Sequence, residues 1–381
     1  MTTFILAPDS FKESMTAEQA CLAMQRGIEK VIPDAKIIHV PMADGGEGTV
    51  DALVSARNGR KVYIEVSGPF TQKKVQAYFG LIENDQTAVI EMALANGIHL
   101  IEKSQRNPLL TSTLGTGEMI KAALDLGVSK IIIGLGGSVT NDAGAGMAQA
   151  LGAKFLDEYG QSVALGGGQL DQIQSIDLSE LDARLKQTEI IIASDVNNPL
   201  CGENGASYVF APQKGANPEM VKTLDQNLKQ FADLVESTLN IEKQNIAGAG
   251  AAGGLGFGLM AFAGASIRSG VEIVIEETQL AEKIAQADYV FTGEGGIDFQ
   301  TKFGKTPFGV AQVAKRLNKP VIAFAGYVGE GVEELYDEGF TAIFGIVDGA
   351  CDLTTALKNG EKNLERCCES VVRLINKEKC I

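Results

Sequence analysis

Short apolar runs alternate with helical periods along almost the whole chain, and no other feature of the sequence restricts the fold as much. Residues 4–6, 36–40, 131–133, 190–193, 289–292, 321–324 and 342–347 are β-rich apolar runs, most of them followed by a loop that carries Gly or Asp. Between them lie helical periods. The first is Ala17, Ala20, Cys21, Met24, Ile28 and Val31, opened by Thr16 with Gln19 three residues on as a capping box. Residues 119–126, 218–239 and 354–375 read as amphipathic helices, and Asp142 opens a small-residue helix over 143–151. Such alternation is the signature of an α/β fold with largely parallel sheets.

The pattern breaks once. Residues 62–66, 75–82 and 88–92 read as three consecutive strands, separated by the turn signals Ser67-Gly68-Pro69 and Glu83-Asn84-Asp85. A length of 381 residues exceeds what one core normally serves. We therefore expect two α/β domains. Residues 1–70 plus 283–381 form a discontinuous first domain, and 71–282 form a second domain inserted into it.

Composition narrows the chemistry. A formal charge of -15 disfavours a nucleic-acid partner, which needs clustered Lys and Arg. Six scattered Cys without a C-x-x-C pair read as reduced thiols, and residues 1–9 lack the pattern of a secretory signal, so a cytoplasmic location is expected. Residues 244–267 carry no charge but are too rich in Gly and Ala for a membrane span. His39 and His99 sit beside apolar residues and read as packing residues, which leaves a zinc site unsupported.

Glycine is in excess, with 44 residues against the roughly 27 that average usage gives. Of these, 33 fall in eight loops, several interleaved with Asp, Glu, Lys, Ser and Thr. Glycine after a strand lets backbone N–H groups approach an anion, so a phosphate-bearing ligand is expected. Gly304-Lys305-Thr306 is not a P-loop, because Phe299 stands where the first glycine belongs. Thr306 and Pro307 read instead as an N-cap and first helical residue. Gly248-Ala249-Gly250-Ala251-Ala252-Gly253 matches the dinucleotide fingerprint without a preceding strand, which keeps a dinucleotide-linked oxidoreductase as an alternative of another class.

Asp9, Asp44, Asp195 and Asp298 each lie at or past the end of a strand run, where open α/β sheets bind ligands. Carboxylates there can coordinate Mg²⁺ or accept a proton from a hydroxyl. Lys12, Arg106, Lys214, Lys302 and Lys305 are the cations embedded in or beside Gly- and Pro-bearing loops.

Seven motifs in order resemble those of the bacterial type I glycerate kinases: Ala7-Pro8-Asp9-Ser10-Phe11-Lys12, Ala43-Asp44-Gly45-Gly46-Glu47-Gly48-Thr49, Gly136-Gly137-Ser138-Val139-Thr140-Asn141-Asp142, Gly205-Ala206-Ser207, Pro212-Gln213-Lys214-Gly215-Ala216, Gly248-Ala249-Gly250-Ala251-Ala252-Gly253-Gly254 and Thr292-Gly293-Glu294-Gly295. The resemblance implies one flavodoxin-like domain, a second of different topology, and an active site in the cleft between them. It implies transfer of the ATP γ-phosphoryl group, with Mg²⁺, to a hydroxyl of D-glycerate, with 2-phosphoglycerate favoured over the 3-isomer. On this reading Gly136, Gly137, Ser138, Asn141, Gly250, Gly253, Gly254, Lys214 and Lys305 hold the nucleotide. Asp195 orients or deprotonates the hydroxyl, with Lys12 and Asp298 as further catalytic candidates, and Asp9, Asp44 and Glu47 hold the metal. Gly296 stands where the family more often has Arg.

Overall fold

The computed structural model describes residues 1–377; Cys380 lies outside the described residues. Among the described residues thirteen strands run in order: β1 (Thr3–Leu6), β2 (Lys36–His39), β3 (Arg60–Ser67), β4 (Lys74–Ile82), β5 (Thr87–Glu91), β6 (Lys130–Gly134), β7 (Lys154–Leu156), β8 (Ser175–Asp177), β9 (Glu189–Ala193), β10 (Ser266–Arg268), β11 (Tyr289–Ile297), β12 (Val321–Val328) and β13 (Ala342–Gly345). The chain divides into two compact units. Unit 1 comprises Met1–Asp44, Asp51–Arg57 and Val271–Ile381; unit 2 comprises Gly45–Val50 and Asn58–Gly270.

Unit 1 holds a parallel sheet in the order β13-β12-β11-β1-β2. Counted within the unit this is the 2-1-3-4-5 order of flavodoxin-like folds. Thr3-Phe4-Ile5-Leu6 is buried at every position, as a central parallel strand covered on both faces must be. Phe4 pairs in register with Ile37 and Tyr289, and its ring meets those of Tyr289 and Phe291. The helix Ala17–Glu29 opens on the expected capping box, with both the Thr16 and the Gln19 bonds formed.

One departure concerns the C-terminal helix. Residues 354–375 form two helices, Leu353–Lys358 and Gly360–Lys377. The break falls where a Cβ on Gly360 would lie 2.1 Å from the Ser14 hydroxyl, a contact no local pattern encodes.

Unit 2 holds a mixed sheet in the order β10-β9-β6-β5-β4-β3, with β5, β6, β9 and β10 parallel and the meander β3-β4-β5 antiparallel at one edge. Phe155, Phe231 and Phe262 form an aromatic cluster in its core, with ring centroids 5.2 to 6.4 Å apart. Phe231 comes from the helix Pro218–Leu239, which Asn217 caps and Asn240 terminates at φ 54°. The helix Ala251–Phe262 starts with Ala252, Gly253 and Gly254 at positive φ. A Cβ on Gly253 would lie 2.0 Å from the Thr140 carbonyl oxygen, so that helix rests backbone against backbone on the loop after β6.

Candidate active site

In unit 1 the strand order reverses between β1 and β11, and the carboxyl ends of these strands are where an open parallel sheet binds its ligand. Asp9 follows β1 there, its N–H donating to the Gly293 carbonyl at 2.8 Å. Its side chain is buried. Oδ1 accepts from the Ser10 N–H and Oδ2 from the Thr306 hydroxyl, each at 2.6 Å. Burial, with the nearby Asp44 charge, pushes the Asp9 carboxyl up to about 6 even though both hydrogen bonds and Lys12 pull it down.

Thr306 is not the N-cap. Lys305 takes the extended cap geometry, and Thr306 opens the helix Thr306–Arg316 with its hydroxyl turned to Asp9. A buried carboxylate is a stronger acceptor than anything the helix end offers a hydroxyl.

Glu294, on β11 beside the same switch point, is the residue that composition and spacing do not single out. Burial, with the Asp9 and Asp44 charges, pushes its carboxyl up to about 7, against the pull of Lys305. Lys305 Nζ lies 3.5 Å from Glu294 Oε1 while donating to the Gly296 carbonyl at 3.0 Å. Oε1 is buried and accepts no hydrogen bond. The signal that finds Glu294 is its place between Gly293 and Gly295 on a strand whose register with β1 brings it beside Asp9.

The other unit 1 candidates are distributed around this point. Asp44 and Lys12 are exposed. Asp298 caps the short turn Phe299–Lys302, its Oδ1 accepting from the Gln300 N–H, and lies 4.0 Å from Lys305. Lys302 pairs with Glu334 and covers the Phe303 ring, as a surface lysine does.

In unit 2 the loop after β6 carries the second cluster. Gly136 and Gly137 are exposed, while Ser138 to Asp142 are buried. A Cβ on Gly136 would fall 2.7 Å from the Gly46 Cα, so position 136 admits no side chain. The Gly137 carbonyl accepts from the Ile98 N–H, and the Val139 N–H donates to Asn96. Asn141 donates to the Ser207 hydroxyl at 3.0 Å, whereas its Oδ1 and the Thr140 hydroxyl are buried without partners. Asp142 accepts from the Thr113 N–H and hydroxyl and from the N–H groups of Gly144 and Gly146, and burial raises its carboxyl.

Lys214 is fully buried and donates to the Ser138 hydroxyl at 2.8 Å and the Thr140 carbonyl at 2.7 Å. Burial pushes its amine down to about 7, with Asp142 opposing. Asp195 is partly buried just past β9, and Glu47 is exposed in the loop that Gly45 and Gly46 open.

Three sequence expectations change character here. Gly250, Gly253 and Gly254 are buried against Pro199, Thr140 and Ala143, and the Gly250 N–H donates to the Asn198 carbonyl, so close packing by itself requires glycine there. Arg106 directs its guanidinium to the carbonyls of Ile98, Ile101 and Gln213 and so serves the fold. His99 is exposed in the turn Ile98–Leu100.

Comparison with known proteins identifies the family. The model of the glycerate kinase family matches residues 4–376. The glycerate kinase of Haemophilus influenzae is 50% identical over 372 residues, covering 98% of both chains. The glycerate 2-kinase of Escherichia coli is 45% identical over 367 residues, covering 96% of both. A crystal structure of a Salmonella typhimurium LT2 protein assigned as glycerate kinase 2 superposes with a TM-score of 0.88 at 46% identity over the whole of both chains. A flavodoxin-like strand order with carboxylates at its switch point, a glycine turn after β6 and full-length similarity of this degree lead to one family: the chain belongs to the glycerate kinases and is a phosphotransferase.

Proposed function

We propose that this kinase transfers the γ-phosphoryl group of ATP to the 2-hydroxyl of D-glycerate, giving 2-phosphoglycerate. The observation that carries the regiochemistry is the 45% identity, over 96% of both chains, to a protein named glycerate 2-kinase. Small-molecule substrates and a cytoplasmic location belong to the same proposal; none of the described helices is long and apolar enough to cross a membrane.

Phosphoryl transfer needs positioning and charge neutralisation more than covalent chemistry. The Gly136-Gly137-Ser138 turn offers backbone donors to the nucleotide phosphates from unit 2. Lys12 and Lys305 supply positive charge at the unit 1 switch point. Two carboxylates qualify as acceptors of the glycerate hydroxyl proton, Asp195 in unit 2 and Glu294 in unit 1. The Glu294 carboxyl, pushed by burial to about 7 and so poised near neutral pH, favours Glu294.

The residues also fit a divalent cation. Among the described residues no group of three or more His, Cys, Asp or Glu could form a protein-only metal cage. Mg²⁺, however, is commonly held by one or two carboxylates together with phosphate oxygens. Asp9 and Asp44, whose mutual repulsion helps to raise Asp9, are the residues that would hold it; Glu47 belongs to the segment counted with unit 2. When bound, Mg²⁺ would offset negative charge on the phosphates. ³¹P NMR of the product formed from ATP, Mg²⁺ and D-glycerate tests the proposal: a 2-phosphoglycerate resonance is expected, and a 3-phosphoglycerate resonance or no product overturns it.

A further inference from the structure

Burying a lysine ammonium completely is costly unless something in the fold requires it there. Lys214 has just 1% of its surface exposed, and its amine donates to two groups of one short segment, at Ser138 and Thr140. That segment lies 74 to 76 residues away in sequence and directly follows the exposed Gly136-Gly137 turn. The contact therefore comes from tertiary structure rather than from local chain geometry.

The lysine is itself held in place. It ends the short turn Pro212–Lys214, and Gly215 follows at φ 97° with its Cα packed so closely that a Cβ would lie 2.4 Å from the Arg106 carbonyl oxygen. Arg106 Nη1 donates to the Gln213 carbonyl at 3.3 Å. The stem thus enters from a fixed backbone, and the amine reaches the loop from its buried side.

The loop needs such a tether. The Thr140 hydroxyl and Asn141 Oδ1 are buried with no partners, so this stretch is less satisfied than a typical interior segment. Without Lys214, the Thr140 carbonyl and Ser138 hydroxyl would each lose a buried donor as well.

We propose that Lys214 is a positioning residue: by bridging the Ser138 hydroxyl and the Thr140 carbonyl from beneath, it fixes the Gly136-Gly137 turn in the form that receives nucleotide phosphate. A neutral amine has two N–H bonds, which matches the two acceptors, and the lowered value near 7 agrees with that count. The inference rests on the reading of this turn as the phosphate site.

Steady-state kinetics of Lys214→Met, Ser138→Ala and the double variant, each checked for folding by circular dichroism, test it. Lys214→Met is expected to raise the KM for ATP about tenfold or more, leaving the KM for D-glycerate within about twofold. Ser138→Ala is expected to raise it about threefold, and the double variant to be no worse than Lys214→Met, because both act through one bridge. A folded Lys214→Met with an unchanged KM for ATP overturns the proposal, as do additive effects. Should Lys214→Met fail to fold, Ser138→Ala decides alone: an ATP-selective rise supports the bridge and no rise overturns it. Gly137→Ala separates the two readings. If it raises the KM for ATP while Lys214→Met does not, only the role of Lys214 falls. If neither does, the phosphate reading of the turn falls with it.

Discussion

The Thr306 hydroxyl donates to Asp9 Oδ2 at 2.6 Å, joining two residues 297 positions apart in the chain. The bond fixes one oxygen of a buried carboxylate and holds its pKa below where burial alone would put it. Removing it should leave Asp9 harder to ionise. Thr306→Val is therefore expected to lose about 1 kcal/mol of stability and to weaken apparent Mg²⁺ affinity severalfold, with Thr306→Ser close to wild type. Thermal melts and Mg²⁺ titration of activity check both, and equal behaviour of the Val and Ser variants would refute the role of the hydroxyl.

Glu294→Gln separates chemistry from stability. Turnover is expected to fall roughly 10²- to 10⁴-fold if Glu294 accepts the hydroxyl proton. The same variant should be more stable than wild type at pH 8 by roughly 1–3 kcal/mol, since a buried charge that resists ionisation is removed. Asp195→Asn measured alongside assigns the base: the carboxylate whose amide keeps near-normal kcat is not the acceptor.

The raised carboxyls also set the pH dependence of stability. Asp9 at about 6 and Glu294 at about 7 bind protons more tightly in the folded protein than in the unfolded chain, where such groups titrate near 4. The unfolded chain thus holds fewer protons between about pH 4 and 7, and stability should fall as pH rises through that window. A cation held at Asp9 and Asp44 would favour the ionised Asp9 and so oppose its part of that fall. In EDTA, Tm is expected to be lower at pH 8 than at pH 5.5, and added Mg²⁺ should raise it more at pH 8. A Mg²⁺ effect independent of pH would argue against this site.

Gly296 lies on β11 opposite Tyr327, and a Cβ there would meet nothing closer than 4.0 Å. The backbone carries no positive φ, so no conformational demand keeps glycine in place. Gly296→Arg should fold with stability within about 0.5 kcal/mol of wild type. By adding a cation near the switch point it should lower the KM for an anionic substrate about two- to tenfold, an effect that salt diminishes. No change in either KM at low salt would show that the position does not face the ligands.

How much of this was legible follows from which forces are local. The apolar run of β1, the Thr16–Gln19 capping box and the bounds of the helix Pro218–Leu239 are set by neighbouring residues, and the sequence pattern locates them. The break before Gly360, the turning of Thr306 away from a cap and the burial of Glu294 all depend on partners across the fold, at Ser14 and Asp9 and in the pairing of β11 with β1. Lys214 is visible as a cation in a Pro- and Gly-bearing loop, but its burial under residues 138–140 is not. Asp142 could be read as a helix-opening residue, whereas its bonds to Thr113 require the helix Leu114–Asp125 to be in place.

The strand order of unit 1 bears on how the chain is made. β1 is made before the other twelve strands, yet it is a central strand whose second neighbour, β11, begins at Tyr289. Unit 2 apart from Gly45–Val50 is one continuous stretch ending at Gly270, so nearly all of it is available before that neighbour is synthesised. Chains stalled so that Gly270 has just left the ribosomal exit tunnel, with β11 still inside it, should therefore show unit 2 resistant to protease and β1 still cleavable. One flank of a fully buried, largely apolar strand must wait, unpaired, until β11 is made, so a nascent-chain chaperone has a defined segment to shield: Thr3-Phe4-Ile5-Leu6.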